Sequence, residues 1–188
     1  MTRPKQTLVE LSKLMSLVLR HDPASFGVTL DPEGFLPIAD LVAALRTRLA
    51  DLTAAEVVEV VETIEPDKRR FSIEEGEIRA NYGHSFADRI AQARATPPEI
   101  LWHGTIQAAL SDIFVQGLLP MRRQYVHLAV DRDLARRVGA RRGAPRLLRV
   151  ESARAFADGV IFYRANSSFW LADSIPPRYL SLPDTAAG

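Results

Sequence analysis

The residues best suited to chemistry are three groups of basic side chains spread along the chain. Arg20-His21 closes a leucine-rich segment, residues 68–70 read Lys-Arg-Arg, and Arg122-Arg123 precede a segment that carries His127. Cationic side chains that converge on a phosphate stabilise the negative charge that grows in a transition state. Each group also has a plain structural interpretation, as a helix cap, a hairpin edge or surface charge. The three groups are therefore candidates for phosphate binding.

Two further segments carry side chains suited to binding sugars, amides or phosphates. His103-Gly104-Thr105 joins a histidine, a glycine that lets a ligand approach the backbone, and a hydroxyl that can cap a helix. A core histidine at a strand end would explain the same triplet equally well. The segment 79–85 contains Arg79, Asn81 and His84, which are typical donors to phosphates and riboses, although a turn with local caps would use the same residues.

The chain lacks cysteine and several motifs that are typical of other catalytic, metal-binding and nucleotide-binding sites. It has no cysteine, which excludes disulfides, thiol nucleophiles and the zinc or iron–sulfur sites built on cysteine. Its four histidines are far apart and no HExxH pair occurs, so we expect no metal site. No GxSxG, GxGxxG or Walker A sequence is present. These absences favour a site that acts by electrostatics, in which the substrate itself supplies the nucleophile.

Length and composition are those of a globular protein of one or two domains. The 188 residues include 47% hydrophobic and 25% charged side chains, and no apolar run approaches the roughly 18 residues that span a bilayer. The N-terminus mixes charges into its apolar pattern, unlike a signal peptide, so we expect a cytoplasmic protein. Residues 1–94 hold 12 basic against 15 acidic side chains, and residues 95–188 hold 12 against 8. The second half thus permits a phosphate-rich partner without requiring one.

The first half of the chain has the pattern of three helices and a hairpin. Apolar residues recur every three or four positions from Thr7 to Arg20, and a second helix is predicted over about 38–49, after an extended piece at 35–38. A third helix is predicted from Thr53 to about Glu65, with Thr53 and Glu56 as a capping box. Segments 70–73 and 77–80 flank Glu-Glu-Gly and predict a hairpin. This order of elements favours a winged helix.

The second half begins at a predicted linker, residues 92–99, where Pro97-Pro98 cannot continue a helix. After the lobe boundary, between residues 94 and 95, we predict a strand over 100–103, a turn at Gly104, and a helix capped by Thr105 that ends at Gly117. The other predicted elements are strands at 125–129, 146–150, 159–164, 169–172 and 179–182, and an Arg-rich helix at 131–142. This order predicts a compact α+β lobe rather than a doubly wound sheet.

Seven segments resemble one protein family and occur in its order. They read RHD at 20–22, RRFSI at 69–73, IRANYGHS at 78–85, WHGT at 102–105, RRQYVHLA at 122–129, GARRGAPRLL at 139–148 and IFYRANSSFWLADSIPPRYL at 161–180. Together they resemble the NAD-dependent RNA 2′-phosphotransferases over nearly the whole chain. The resemblance implies an α+β protein with an N-terminal winged-helix RNA-binding lobe, residues 1–94, and a C-terminal ADP-ribosyltransferase-like lobe that binds NAD, residues 95–188.

The resemblance also implies a two-step reaction that consumes NAD. The RNA 2′-phosphate first attacks C1″ of the nicotinamide ribose and expels nicotinamide, which leaves RNA-2′-phospho-ADP-ribose. The ribose O2″ then attacks the phosphorus and releases 2′-OH RNA and ADP-ribose 1″,2″-cyclic phosphate. The implied partner is an RNA with an internal 2′-phosphate, such as a tRNA-like intermediate of tRNA splicing, and no metal is needed. For two lobes of this size we expect a monomer.

Three groups of site residues follow from the same resemblance. The residues that would hold the phosphate and act on it are Arg20, His21, Arg70 and Arg123. The residues that would bind NAD are His103, Gly104 and Thr105. The residues of the loop beside the phosphate pocket, where RNA would bind, are Arg79, Asn81 and His84. The resemblance implies that His21 contacts the reacting phosphate or ribose, that His103 binds the adenosine ribose, and that the Gly104 backbone fixes the nicotinamide amide.

The chain departs from the family pattern in four places. Tyr82 stands where the family has Gln, Tyr125 where it has His, Ala129 where it has Ser, and residues 167–169 where it has Asn-Gly-Val. None is among the four catalytic positions, but losing a hydrogen bond to a bound phosphate or sugar costs on the order of 1–3 kcal/mol. Two alternatives therefore stay open. One is an ADP-ribosyltransferase that stops after the first step or modifies terminal phosphates of RNA or DNA, and the other is a nucleic-acid-binding winged-helix protein with an inactive transferase lobe.

Overall fold

The computed structural model describes residues 5–64, 69–140 and 143–183. The chain divides into two units, Met1–Ala91 (unit 1) and Gln92–Gly188 (unit 2), and each has its own sheet and its own buried core. The division falls three residues before the predicted boundary between 94 and 95. Both sheets are antiparallel and are combined with helices, so the predicted α+β class is confirmed.

Unit 1 contains three helices and a three-stranded sheet. The elements are α1 (Lys5–Arg20), β1 (Phe35–Pro37), α2 (Ile38–Leu45), α3 (Ala54–Glu62), β2 (Phe71–Glu74) and β3 (Glu77–Ala80). The strand order is β1-β3-β2. All six match predicted elements, although α2 ends four residues before the predicted 49. The predicted end of α3, Glu65, lies outside the described residues, as does Lys68.

Apolar periodicity and a capping box account for the helices of unit 1. Leu11, Met15 and Val18 lie on one face of α1 and are fully buried, at the spacing of an amphipathic helix. Thr53 accepts a hydrogen bond from the Glu56 N–H, and the Glu56 carboxylate accepts one from the Thr53 N–H. The predicted capping box is therefore confirmed, and it satisfies two N–H groups that the first turn of α3 would otherwise leave without partners.

The hairpin of β2 and β3 returns the chain to the end of α1. Its turn is Glu75-Gly76, and both residues have positive φ, 49° and 85°. A two-residue turn of this kind matches the right-handed twist of the strands and favours glycine at its second position. Beyond β3, the Ser85 N–H donates to the carbonyl oxygen of Arg20 at 2.8 Å. The segment that follows the hairpin is thus tied to the last residue of α1.

Unit 2 is built on a six-stranded sheet with the order β7-β8-β5-β4-β6-β9. Its elements are β4 (Leu101–Ile106), α4 (Leu110–Gln116), β5 (Val126–Ala129), α5 (Arg132–Gly139), β6 (Pro145–Val150), α6 (Ser152–Ala157), β7 (Phe162–Arg164), β8 (Phe169–Ala172) and β9 (Leu180–Ser181). Helix α6 is absent from the predicted elements, because its six residues are too few to show a helical period. The end of the predicted helix at 141–142 lies outside the described residues.

The prediction of a turn at Gly104 and a helix cap at Thr105 is wrong. Both residues lie inside β4, which pairs with β6 without interruption from Leu101 opposite Val150 to Ile106 opposite Pro145. A single 3-10 turn, Gln107–Ala109, follows the strand, and α4 then begins without a side-chain cap. The long-range pairing with β6 overrides the local turn signal. The end of α4 at Gly117 is as predicted.

Among the described residues, no helix is both long and apolar enough to cross a membrane. Within the same ranges, no group of three or more His, Cys, Asp or Glu side chains is placed to hold a metal ion.

Candidate active site

In unit 1 the structure brings together three sequence segments that carry predicted site residues. Arg20 ends α1, and its guanidinium Nη2 donates to the carbonyl oxygen of Arg70 at 3.2 Å. His21 follows, with its Nδ1 hydrogen-bonded to the Ser85 hydroxyl at 2.8 Å. Residues 20, 70 and 85 thus meet at one end of the helix, although they are up to 65 positions apart in the sequence. We call this group the α1-end cluster.

The Arg20 guanidinium lies against two aromatic rings. Its central carbon is 5.3 Å from the centre of the Phe71 ring and 4.9 Å from the centre of the Tyr82 ring. Gly83, which follows Tyr82, has a φ of +95°, and a Cβ there would lie 3.5 Å from Cδ of Arg20. A glycine suits this position because an L side chain rarely adopts that backbone conformation. The chain therefore folds closely over the Arg20 side chain.

Asn81 holds the start of β2 in place. Its buried amide donates to the carbonyl oxygen of Arg69 at 3.1 Å and accepts from the Ser72 hydroxyl at 2.7 Å. Its backbone N–H donates to the carbonyl oxygen of Arg70 at 2.9 Å. The side chain of Arg70 is itself exposed. These contacts favour a positioning role for Asn81, since both ends of its amide are engaged with the protein.

His84 is almost fully buried, at 2% exposure, beside three cationic groups. Burial, followed by the charges of Arg20, His21 and Arg79, lowers the pKa of His84 to about 4. Its ring packs edge-on against Phe86, with the ring centres 5.8 Å apart. At neutral pH His84 is therefore uncharged, and the surrounding cations indicate a positive local potential that suits an anion.

Arg79 lies on β3 and is half-buried. Its guanidinium carbon is 4.6 Å from the centre of the Phe35 ring, and its Nη2 is 3.7 Å from the Glu74 carboxylate. The side chain of Glu74 is 59% exposed, so this ion pair adds little to stability. Arg79, like Arg20 and His21, is close enough to His84 for its charge to lower the pKa of that histidine.

In unit 2, His103 lies in the middle of β4 rather than at a strand end. Its Nδ1 is 3.0 Å from the carbonyl oxygen of His127. A carbonyl oxygen can only accept a hydrogen bond, so Nδ1 of His103 donates. His127 in turn has its Nδ1 2.9 Å from the carbonyl oxygen of Tyr125. Both rings therefore carry a proton on Nδ1, and in the neutral form Nε2 of each is an acceptor.

Gly104 is required by the packing of helix α5 on strand β4. A Cβ at Gly104 would lie 1.9 Å from the carbonyl oxygen of Ala135 and 2.9 Å from the backbone nitrogen of Gly139. Only glycine allows the two backbones to approach this closely. Packing against α5 is thus a second, purely structural reason for glycine at position 104, besides the sequence-based interpretation that it lets a ligand approach the backbone. Thr105 follows in β4, half-buried and opposite Arg146.

Arg123 lies in unit 2, in the loop before β5. Its side chain is exposed, and its backbone N–H donates to the carbonyl oxygen of Pro120 at 3.1 Å. Two residues earlier, Met121 has a φ of +58°, which is uncommon for a residue with a side chain. The loop therefore presents Arg123 to solvent from a tightly turned backbone.

Comparison with known proteins identifies the family. Residues 6–174 match the family described as RNA 2′-phosphotransferase, Tpt1 / KptA family. The chain belongs to this family. A protein of Rhodopirellula baltica named "Probable RNA 2′-phosphotransferase" is 45% identical over 179 residues, which cover 94% of this chain and 96% of the relative. Proteins of the same name from Rhizobium rhizogenes and Streptomyces coelicolor are 46% and 43% identical, over 92% and 95% of this chain and 92% and 97% of their own lengths.

The departures from the RNA 2′-phosphotransferase pattern have defined surroundings in this member of the family. Tyr125 is buried and packs edge-on against Tyr163, whose hydroxyl is 3.2 Å from the Asp173 carboxylate. Ala129 is buried in β5 opposite Trp102. The segment 167–169 follows Asn166, which accepts hydrogen bonds from the backbone N–H groups of residues 168 and 169. These three departures are thus accommodated by the packing or hydrogen bonding of unit 2, whereas the fourth, Tyr82, lies in unit 1 against Arg20.

Several residues that contact the predicted site residues were not assigned to the site from the sequence. Phe71 and Tyr82 contact the Arg20 guanidinium, Ser85 contacts His21, and Ser72 contacts Asn81. All four stand within the family motifs, and Phe71 directly follows Arg70. Their adjacency to charged site residues was the only available signal, since nothing in the spacing shows which residues meet across the sheet.

Proposed function

We propose that this protein removes an internal 2′-phosphate from RNA and uses NAD as the second substrate. The family description and the names of the relatives support RNA 2′-phosphotransferase activity. The observation that carries the proposal for this chain is the α1-end cluster, where the Arg20 guanidinium bonds the backbone of Arg70 beside His21. Guanidinium groups bind phosphate oxygens in a planar, bidentate manner, which suits this cluster to a phosphate monoester.

The proposed reaction has two steps. A 2′-phosphate oxygen attacks C1″ of the nicotinamide ribose, the bond from C1″ to the nicotinamide nitrogen breaks, and nicotinamide leaves. In the second step O2″ of that ribose attacks the phosphorus, and the bond from phosphorus to the RNA O2′ breaks. The proton of O2″ is lost and O2′ gains one, so the products are 2′-OH RNA and ADP-ribose 1″,2″-cyclic phosphate. The substrates supply both nucleophiles in this proposal, as the family resemblance implies.

The arginines act on the phosphate by electrostatics. Arg20 and Arg70 offset its charge, and the charge that the phosphorus centre gains in the second step is stabilised by groups already in place. His21 is exposed at the end of α1, where it contacts the reacting phosphate or ribose. We include Arg123 of unit 2 in the same set on the strength of the motif it shares with the family.

The polar groups of β4 support NAD binding in this proposal. Because Nδ1 of His103 donates to the carbonyl oxygen of His127, the neutral ring offers Nε2 as an acceptor, which is what a ribose hydroxyl needs. In this proposal His103 binds the adenosine ribose, the Gly104 backbone holds the nicotinamide amide, and Thr105 completes the NAD-binding motif. When bound, NAD supplies the electrophilic carbon and the leaving group.

The architecture is compatible with the lobes that the family resemblance implies. Three helices followed by a hairpin, with β1 added to the hairpin sheet, support a winged-helix lobe in unit 1. A six-stranded antiparallel sheet flanked by short helices supports an ADP-ribosyltransferase-like lobe in unit 2. Within unit 1, Arg79 would bind the RNA near its phosphate, and the buried Asn81 and His84 would position the same segment.

The test is direct product analysis. The purified protein is incubated with NAD and a short RNA bearing one internal 2′-phosphate, without added metal, and the products are resolved by mass. Release of nicotinamide, 2′-OH RNA and ADP-ribose cyclic phosphate is the expected outcome. Stable RNA-phospho-ADP-ribose would favour the alternative that stops after the first step, and ADP-ribosylation of terminal phosphates would favour the other transferase. No reaction, together with RNA binding, would favour the inactive binding protein.

Two arginine variants test the assignment of the site. Arg70→Ala and Arg123→Ala should each lower the rate by about 10²–10³-fold while the protein stays folded, since both side chains are exposed. The matched controls are Arg48→Ala in unit 1 and Arg137→Ala in unit 2, which remove exposed arginines from other surfaces. Unchanged rates for both site variants would refute the assignment.

A further inference from the structure

Arg20 is held between two aromatic side chains, and only one of them belongs to the buried core. Phe71 is 1% exposed and packs in the apolar core of unit 1. Tyr82 is half-buried and follows the hairpin. The guanidinium carbon lies 5.3 Å from the first ring centre and 4.9 Å from the second. Both distances are within the range at which a cation is attracted to the face of a ring.

This arrangement restricts a side chain that is otherwise mobile. An arginine side chain loses conformational entropy when it is fixed, so a defined guanidinium orientation needs several contacts. Two rings and the Arg70 carbonyl oxygen supply them here. Without Tyr82, the guanidinium would keep the Phe71 ring and the hydrogen bond to the Arg70 carbonyl oxygen and would lose the Tyr82 ring.

The backbone around Tyr82 is itself tied to the ends of the cluster. The Asn81 N–H donates to the carbonyl oxygen of Arg70, and the Ser85 N–H donates to that of Arg20. Gly83 turns the chain with a φ of +95° between these two anchors. The backbone of segment 81–85, which carries Tyr82, is therefore anchored to both Arg20 and Arg70.

We infer that Tyr82 is a positioning residue, which orients the Arg20 guanidinium for phosphate binding through the face of its ring. The inference rests on the proposed function for its catalytic consequence, but the orientation of Arg20 can be measured without it. The contact with the guanidinium is made by the ring, so a phenylalanine at this position retains it.

The variants separate the ring from the rest of the side chain. Tyr82→Leu removes the ring and keeps an apolar side chain, whereas Tyr82→Phe removes only the hydroxyl. Phe26→Leu is the matched control, because Phe26 is a partly buried ring 5.3 Å from the guanidinium carbon of Arg48 in the same unit. It removes an aromatic contact with a different arginine at a comparable distance.

The first measurement is the side-chain Nε–Hε NMR signal of Arg20, which is assigned by its loss in Arg20→Lys. Nε of Arg20 is buried, which slows exchange of its proton with water. In Tyr82→Leu this signal should move downfield and broaden, because a ring face shields protons above it. Tyr82→Phe and Phe26→Leu should leave it in place. An Arg20 signal unchanged in Tyr82→Leu would overturn the inference, whatever the enzyme does.

The second measurement is the kinetics of 2′-phosphate removal. Tyr82→Leu should lower kcat by about 5- to 30-fold, the range that a desolvated cation–π contact implies, and leave KM for RNA within about twofold. Tyr82→Phe should restore kcat. If the Arg20 signal moves while kcat is unchanged, Tyr82 does not matter for the reaction and that part is refuted. If the wild-type protein is inactive while the signal moves as expected, the proposed function fails and the positioning of Arg20 stands.

Discussion

Replacing Gly104 with alanine tests whether this residue is glycine because of packing or because of a ligand. The added Cβ would lie 1.9 Å from the carbonyl oxygen of Ala135, 2.8 Å from its carbonyl carbon and 2.9 Å from the Gly139 nitrogen. Since real Cβ atoms do not approach closer than 3.0 Å, α5 and β4 must separate by about 1 Å. All three neighbours are backbone atoms, which cannot rotate away as a side chain would.

The magnitude follows from that geometry. Overpacking a core typically costs about 1–3 kcal/mol, and a backbone clash on this scale belongs at the upper end, so we expect Gly104→Ala to lower the free energy of unfolding by about 3 kcal/mol. Gly139→Ala is the matched control on the other side of the same crossing. Its Cβ would lie 3.0 Å from the carbonyl carbon of Gly104 and needs a shift of only a few tenths of an ångström. Alanine gains up to about 1 kcal/mol over glycine inside a helix, so Gly139→Ala should change stability by less than about 1 kcal/mol.

The assay is urea unfolding followed by tryptophan fluorescence. Both tryptophans of the chain, Trp102 and Trp170, lie in unit 2, so the signal reports the unit that contains the crossing. NAD binding is measured separately at a temperature well below unfolding. If Gly104→Ala were as stable as the wild type and lost only NAD binding, the glycine would serve the ligand and our packing argument would be refuted. A larger loss for Gly139→Ala than for Gly104→Ala would refute it as well.

Three further predictions concern unit 1. The folded protein holds the pKa of His84 near 4, whereas His84 of the unfolded chain binds a proton below about pH 6.5. The free energy of unfolding should therefore fall by about 3 kcal/mol as the pH drops from 6.5 to 4. Urea unfolding across this range should show a smaller decline for His84→Gln, and an equal decline would contradict the burial argument. Asn81→Ala should lower the free energy of unfolding by about 1–3 kcal/mol, because the Arg69 carbonyl and the Ser72 hydroxyl lose their hydrogen-bond partner. Urea unfolding measures this loss, and a loss no larger than that of Ser72→Ala would refute the prediction. Thr53→Ala should lower the free energy of unfolding by about 1 kcal/mol, because it removes the N-terminal cap of α3. Unfolding followed by circular dichroism, with Thr63→Ala as control, measures the effect, and an unchanged stability would contradict it.

The elements of unit 1 could be predicted from the sequence because their signals are local. The apolar period of α1, the capping box of Thr53 and Glu56, and the Glu75-Gly76 turn each depend on residues within a few positions of one another. A local sequence signal predicts the structure correctly when the tertiary contacts favour the same local conformation. The predicted order of three helices and a hairpin therefore matches the structure.

Unit 2 was harder to predict because long-range pairing decides its elements. Gly104-Thr105 has the local chemistry of a turn and a helix cap, yet β6, more than 40 positions away, pairs with both residues and extends β4 to Ile106. The glycine that suggested the turn is needed instead where α5 crosses the strand. A single sequence contains no signal for that crossing, since the residues on its two sides are separated by about 30 positions.

The charge of the first half illustrates why site geometry is not readable from composition. Residues 1–94 carry more acidic than basic side chains, which argues against binding to nucleic acid by net charge. In the structure, however, burial lowers the pKa of His84, and the nearby charges of Arg20, His21 and Arg79 lower it in the same direction. The local potential is thus positive in a half that is negative overall. A surface of this kind attracts a compact anion at one point and does not attract a duplex along its length, which fits a single phosphate monoester better than non-specific binding to nucleic acid.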